Sequence, residues 1–233
     1  MRDWSVPHFG RRTTWKINRL ELSAIIFDMD GLMFDTECIA QLAWYRAAAD
    51  YGYELTEPIY LGVIGLNSRD VETYFRQSIS NIFPFAEIYR RKQQYVDELL
   101  TQEGIPLKPG LLELLELIFE LSIPKAVASS TAKEIVTRNL SRAGLQFDVV
   151  VGGDEVKNGK PAPDIFLTAA RQLHASPERC LVLEDSNIGI KAAHAAGMIP
   201  VMIPDMKPPT EKVRHLAYRI LPSLHEVRWL LTQ

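Results

Sequence analysis

Phe27-Asp28-Met29-Asp30-Gly31-Leu32-Met33-Phe34-Asp35-Thr36-Glu37 closes an apolar run, Ala24-Ile25-Ile26, that shows no polar alternation. A parallel strand covered on both faces is encoded by runs of this kind. Asp28 and Asp30 fall where that strand must end. Gly31 follows at once, a residue that lets the backbone turn sharply and approach a ligand closely. The strand therefore delivers two carboxylates to a loop tip.

Such a pair suits phosphoryl transfer through a covalent aspartyl phosphate, with Asp28 as nucleophile and Asp30 moving protons. A carboxylate approaching a phosphate is repelled by roughly 4 kcal/mol at about 4 Å in an effective dielectric of about 20. A cation must bridge them, and Mg²⁺, which accepts carboxylates, carbonyls, waters and phosphate oxygens, is the natural choice. Asp-x-Asp-Gly by itself also fits a turn with solvated acids or part of a calcium loop, so the rest of the chain has to decide.

With 233 residues, 47% of them hydrophobic, and a formal net charge of -3, the chain can bury a sizeable core of one or two domains. That charge balance gives no reason to expect nucleic acid or a membrane as a partner, and no apolar segment reaches the ~18 residues of a membrane span. Cys38 and Cys180 make neither a metal-type spacing nor a disulfide framework, which suits a reducing cytoplasm. His8, His174, His194, His215 and His225 are scattered, so zinc is not expected. Residues 1–20 carry Arg2, Arg11, Arg12, Lys16 and Arg19 against Asp3 alone and have no apolar segment of the secretory kind. Organelle transit segments have that composition too, but Trp4, Phe9 and Trp15 favour a packed N-terminal extension.

Between Cys38 and Tyr51 the apolar positions Ile39, Leu42, Ala43, Ala47 and Ala48 predict a helix that Gly52 ends. Periodic stretches at residues 71–79 and 86–100 predict amphipathic helices, with no buried-strand run from Glu57 to Glu103. Residues 38–107 thus form a helical insertion, bounded by Lys108-Pro109-Gly110. Leu111–Leu121 begins a strongly apolar helix. Strands at 125–129, 149–151, 180–184 and 199–203 then alternate with helices at 132–143, 164–173 and 188–196. That alternation predicts an α/β core with a doubly wound parallel sheet, formed by residues 21–37 and 108–233.

Ligands bind such sheets at the carboxyl ends of the strands, and here those ends carry a set of reactive groups. Ser129-Ser130-Thr131 supplies hydroxyls and a helix N-terminus suited to phosphate, although Ser130 or Thr131 would serve equally as a cap. Lys160, in Gly159-Lys160-Pro161-Ala162-Pro163, is a point charge in a stiff loop. Glu184-Asp185 adds two carboxylates, Asp185 being also a potential helix cap. Four strand ends bearing nucleophile, hydroxyls, ammonium and metal carboxylates make a coherent catalytic constellation.

Taken in order, Phe27-Asp28-Met29-Asp30-Gly31, Ser129, Lys160-Pro161 and Glu184-Asp185 resemble the motifs of the haloacid dehalogenase-like hydrolase superfamily. The phrases GKPAPDIF and LEDSNIGIKAAHAAG are similar to its β-phosphoglucomutase-like branch. The resemblance implies a Rossmann-like core with a helical cap inserted after the first strand. It also implies Asp28 as nucleophile, Asp30 as acid/base, and Ser129 and Lys160 on the phosphate. Mg²⁺ would then be bound by Asp28, Asp185 and the backbone carbonyl of Asp30, with Glu184 as a ligand or an outer group.

Specificity is expected from the cap. Asn67 and Arg69, in Gly65-Leu66-Asn67-Ser68-Arg69, resemble the cap loop that faces the site in this branch. Arg69 could equally start a helix paired with Asp70 or Glu72; Arg91 and Lys92 could reach the same cleft, although Arg90-Arg91-Lys92 reads more readily as a solvated helix face. Mutases similar to this chain carry a histidine where Ala40 stands, and that departure favours hydrolysis. The expected activity is therefore a phosphomonoesterase, working as a monomer on a small phosphorylated metabolite such as a sugar or polyol phosphate. The alternatives are a phosphohexomutase and a nonenzymatic phosphate-binding module; the latter would need a broken catalytic set, and here every expected position is filled.

Overall fold

The computed structural model describes residues 15–17, 20–64, 68–102 and 104–232, of which residues 15–17, 20, 68 and 69 are described by backbone course alone. The expected N-terminal extension, residues 1–20, lies outside the described residues apart from Trp15–Ile17 (β1) and Leu20, the first residue of β2 (Leu20–Leu22), which pairs antiparallel with β1.

The core strands are β3 (Ala24–Phe27), β4 (Lys125–Ala128), β5 (Val149–Val151), β6 (Cys180–Glu184), β7 (Ile199–Met202) and β8 (Arg219–Ile220). They form one parallel sheet in the order β5-β4-β3-β6-β7-β8. All four residues of β3 are buried, as its unbroken apolar run requires for a central strand. Its side chains alternate between two cores. Ile25 and Phe27 pack with α5 (Leu111–Glu120), α6 (Lys133–Arg142) and α10 (Leu224–Leu231) through Leu114, Ile118, Val136 and Leu230. Ala24 and Ile26 face α7 (Asp164–Gln172) and α8 (Asn187–Ala195) through Phe166, Ala169 and Ala193. Helices on both faces of a parallel sheet are the doubly wound arrangement.

The inserted cap holds α1 (Thr36–Asp50), α2 (Glu57–Val63), α3 (Ser68–Ser78) and α4 (Phe85–Gln102). Its core is aromatic: Trp44 on α1 meets the Phe75 ring edge-on at 5.0 Å between centroids, and Tyr60, Phe83 and Phe85 close around them. The two chain crossings between core and cap run side by side. Phe34 bridges Leu107, Asp35 N–H donates to Pro106 O at 2.9 Å, and Lys108 N–H donates to Met33 O at 2.9 Å.

Several elements differ from the sequence reading. Helix α1 begins at Thr36, two residues ahead of the expected start. Asp35 occupies the N-cap position without capping, because its Oδ1 accepts from Lys108 Nζ at 3.2 Å. Leu42 faces solvent rather than the cap core, where Trp44 sits instead. Neither α2, α9 (Glu211–Leu216), β8 nor α10 was expected: α2 and α9 run for about two turns or less, β8 exists only through its pairing with β7, and α10 does bury an apolar stripe, Leu224, Val227, Leu230 and Leu231. No helix among the described residues is long and apolar enough to cross a membrane.

Candidate active site

The register of the sheet assembles the site. Phe27 pairs with Val127 on one side and Leu183 on the other, and Asp28 N–H donates to Leu183 O at 3.0 Å. Asp28, Ser129 and Glu184 therefore leave three adjacent strands at one level, where the strand order switches direction, which is where doubly wound sheets bind ligands. All three are buried. Gly31, at φ +84°, turns the chain over Asp185 in a backbone conformation that favours glycine.

Lys160 arrives from the loop after β5. Its Nζ donates to Asp28 Oδ1 at 2.5 Å and to Glu184 Oε1 at 2.6 Å, with the side chain only 3% exposed. Glu184 Oε2 accepts from Ser186 N–H at 2.7 Å and Ser186 Oγ at 2.8 Å, so both of its oxygens are occupied. Burial pushes the Asp28 carboxyl up to about 7; Lys160 pulls it down, while Glu184 and Asp30 add to the rise. Burial likewise raises Asp185 well above the ordinary carboxylate range, reinforced by Glu184 and Asp28. For Lys160 burial works against the charge, but Asp28 and Glu184 overcome it and leave the ammonium pKa raised.

Asp30 is held by hydroxyls: Thr36 Oγ1 donates to Oδ1 at 3.1 Å, and Thr131 Oγ1 and Ser129 Oγ donate to Oδ2 at 2.8 and 3.3 Å. The hydroxyl run after β4 thus does not cap the following helix. Ala132 is the N-cap of α6, Thr131 turns to Asp30, and Ser129 Oγ accepts from Thr131 N–H at 3.1 Å. Asp185 does not cap α8 either; Ser186 does, accepting from Gly189 N–H. Asp28, Asp30, Ser129, Ser130, Lys160, Glu184 and Asp185 all line one open cleft of about 390 Å³, a size suited to a small metabolite.

A cation fits the donor set. Asp28, Glu184 and Asp185 each offer an oxygen, and these lie within 4.8 Å of one another. They are hard oxygen donors of the kind Mg²⁺ takes, and the three carboxylates gather beside the ammonium of Lys160, which pairs with Asp28 and Glu184.

Asn67 lies outside the described residues, as does the Arg69 side chain, whose backbone belongs to α3. Arg91 does not reach the cleft: it pairs with Asp50 at 2.7 Å and lies over the Tyr95 ring. Lys92, read from the sequence as part of a solvated face, instead turns inward, where burial lowers its pKa against the opposing pull of Glu37 and Asp30. Glu37, which had no assigned role, lines the cleft and accepts from Tyr60 Oη at 2.9 Å. Asp205 lines it too, following β7. The strand-end rule that found Asp28 and Glu184 would have found Asp205 had it been carried to the fifth strand, whereas Tyr60 and Lys92 left no such signal.

The first turn of α8 is packed directly on Glu184. A Cβ on Gly189 would fall 1.7 Å from Glu184 Oε1, and that carboxylate cannot swing away because Lys160 and Ser186 hold it. Gly189→Ala is expected to destabilise the fold by about 1–3 kcal/mol through overpacking, a thermal melt being the measurement. An unchanged melting temperature would mean that the contact relaxes freely.

The profile of the haloacid dehalogenase-like hydrolases matches residues 25–203. The chain is 35% identical over 179 residues to a phosphorylated carbohydrates phosphatase of Thermotoga maritima, covering 76% of this chain and 82% of that protein. It is 33% identical over 179 residues to the fructose-1-phosphate phosphatase YqaB of Escherichia coli, covering 76% and 93% respectively. The crystal structure of CbbY from Rhodobacter sphaeroides in complex with phosphate superimposes with a TM-score of 0.73 at 29% identity, over 88% of this chain and 96% of that one. With its parallel core and its cap inserted after the first core strand, the chain belongs to the haloacid dehalogenase-like hydrolase family.

Proposed function

We propose that this phosphatase is a Mg²⁺-dependent phosphomonoesterase acting on a sugar or polyol phosphate through an aspartyl phosphate on Asp28. The observation that carries the reading is the convergence of Asp28, Lys160, Glu184 and Asp185 beside a hydroxyl-held Asp30. Asp28 attacks phosphorus, and Lys160 with the Ser129 and Ser130 hydroxyls holds the phosphoryl oxygens. Asp30 protonates the departing alkoxide and then takes a proton from the incoming water, its side chain kept in line by Thr36 and Thr131, while the longer contact from Ser129 frees that hydroxyl for phosphate. Bound Mg²⁺ would neutralise the phosphate against these carboxylates, held by Asp28, Asp185 and the Asp30 carbonyl. Glu184, with both oxygens engaged, fixes Lys160 and the start of α8.

The relatives named above as phosphatases of fructose 1-phosphate and phosphorylated carbohydrates support the substrate class. Glu37 gives the cap side of the cleft an acceptor, and Lys92 behind the lining places a cation within electrostatic reach of Glu37 and Asp30, a setting suited to a hydroxyl-rich leaving group. A Mg²⁺-dependent screen of phosphorylated metabolites, scored for released phosphate against isomerised product, tests the reading. Free phosphate is the expected product; glucose 6-phosphate accumulating faster than phosphate from glucose 1-phosphate and a catalytic amount of bisphosphate would make the enzyme a mutase instead. EDTA should suppress turnover and Mg²⁺ restore it. Asp30→Asn should lower turnover by about 100-fold or more and remove a limb of the pH profile; an unmoved profile would assign the proton transfers to another group.

A further inference from the structure

Two strand-end carboxylates converge over Gly31. A Cβ on that glycine would meet Asp185 Oδ2 at 2.5 Å and Asp205 Oδ2 at 3.2 Å. Asp205 Oδ1 accepts from Lys108 Nζ at 2.7 Å, but Asp205 Oδ2 is buried and has no hydrogen-bond partner among the described residues. An unpaired buried acceptor is costly, the more so when charged. Asp205 cannot turn to relieve it, because Lys108 grips the other oxygen and is itself held by Asp35 Oδ1 at 3.2 Å. An orphan carboxylate oxygen facing a second carboxylate calls for a hydrogen-bond donor near both.

We infer that Asp205 is a positioning residue of the metal site: its Oδ2 accepts a hydrogen bond from a water in the cation's hydration shell, and Lys108 locks it in that orientation. The inference rests on the reading of Asp28 and Asp185 as Mg²⁺ ligands. Asp205 is not among the carboxylates whose oxygens lie within 4.8 Å of one another, which favours contact through water over direct ligation. Mg²⁺ keeps several of its waters, so an acceptor for them contributes to its hold. Lys108 and Asp35 belong to the two crossings between core and cap, so the same clasp ties both crossings to the metal site.

Titration calorimetry of the metal-free protein with MgCl₂ tests this without turnover. Asp205→Asn keeps an oxygen for Lys108 but turns an amide donor toward Gly31. It should weaken Mg²⁺ binding about 10-fold or more, and Lys108→Gln several-fold, while melting in EDTA stays near wild type. Asp185→Asn serves as the control that removes a ligand. Wild-type affinity in Asp205→Asn, with binding lost in Asp185→Asn, overturns the role of Asp205 and leaves the Mg²⁺ reading standing. Absence of Mg²⁺ binding by the wild type overturns both. Should Asp205→Asn fail to fold, Lys108→Gln decides, an unchanged affinity there overturning the inference.

Discussion

Asp28→Asn is expected to lower phosphate release by about 10⁴-fold or more, because it removes the attacking atom while the groups that bind phosphate stay in place. The fold should survive, and its pH dependence supplies a second measurement. The Asp28 carboxyl is raised to about 7 in the folded, metal-free protein, chiefly by burial. A raised carboxyl binds its proton more tightly in the folded state than in the unfolded one. Its contribution to stability is therefore full below the unfolded value near 4 and is lost as pH rises through about 7. Asparagine does not ionise, so in EDTA the variant should melt as wild type does below about pH 4 and increasingly above it as pH rises to 8. Melting below wild type at pH 8 would mean that the contact with Lys160 outweighs the burial of the charge. Wild-type-like turnover would end the covalent proposal.

Lys160→Met should produce the largest loss of stability. The ammonium bridges Asp28 and Glu184 with its side chain almost wholly buried, so removing it leaves those buried carboxylates without their shared cation. Breaking a buried ion pair costs about 3–5 kcal/mol, equivalent to roughly 10 °C in melting temperature for a chain of this size. In wild type the raised Lys160 pKa keeps the ammonium, and its contribution, throughout the neutral range. Without it Asp28 loses the neighbour that lowers its pKa, so the penalty should grow from pH 5 to pH 8. Melting in EDTA across that range, and again with Mg²⁺, is the measurement: Mg²⁺ should restore part of the loss at pH 8. Turnover should fall about 100-fold or more, as when one preorganised donor to a transition state is deleted. A pH-independent loss of stability would show that packing on Phe166, whose ring Lys160 overlies at 4.8 Å, matters more than charge.

Much of this architecture is written locally. The unbroken apolar run before Asp28, the hydroxyls after Ala128, and Glu184-Asp185 closing the apolar run Leu181-Val182-Leu183 each mark a strand end by sequence alone. Strand ends of a parallel sheet meet at one edge whatever the detailed packing, so the gathering of these reactive groups could be read from the chain alone. Cap helices with a strong apolar period were likewise legible, whereas β8 and α9 were not, being fixed by pairing and docking rather than by a period of their own; α10 carries a short apolar stripe, Leu224, Val227, Leu230 and Leu231, of only about two turns.

What the sequence determined was which reactive side chains the core gathers at its strand ends, because strand ends, glycine turns and charge type are properties of neighbouring residues. Only the tertiary structure decided how those groups are shared out. It gave Thr131 to Asp30 rather than to a helix cap, and Glu184 to Lys160 and α8. It brought Glu37, Tyr60 and Lys92 together on the cap side, and it joined Lys108 to Asp35 and Asp205. The physical reason is distance along the chain: Asp205 lies 97 residues from Lys108 and Lys160 lies 132 from Asp28. Hydrogen-bond partners so remote are chosen by the packing of whole elements, not by any local preference of the chain.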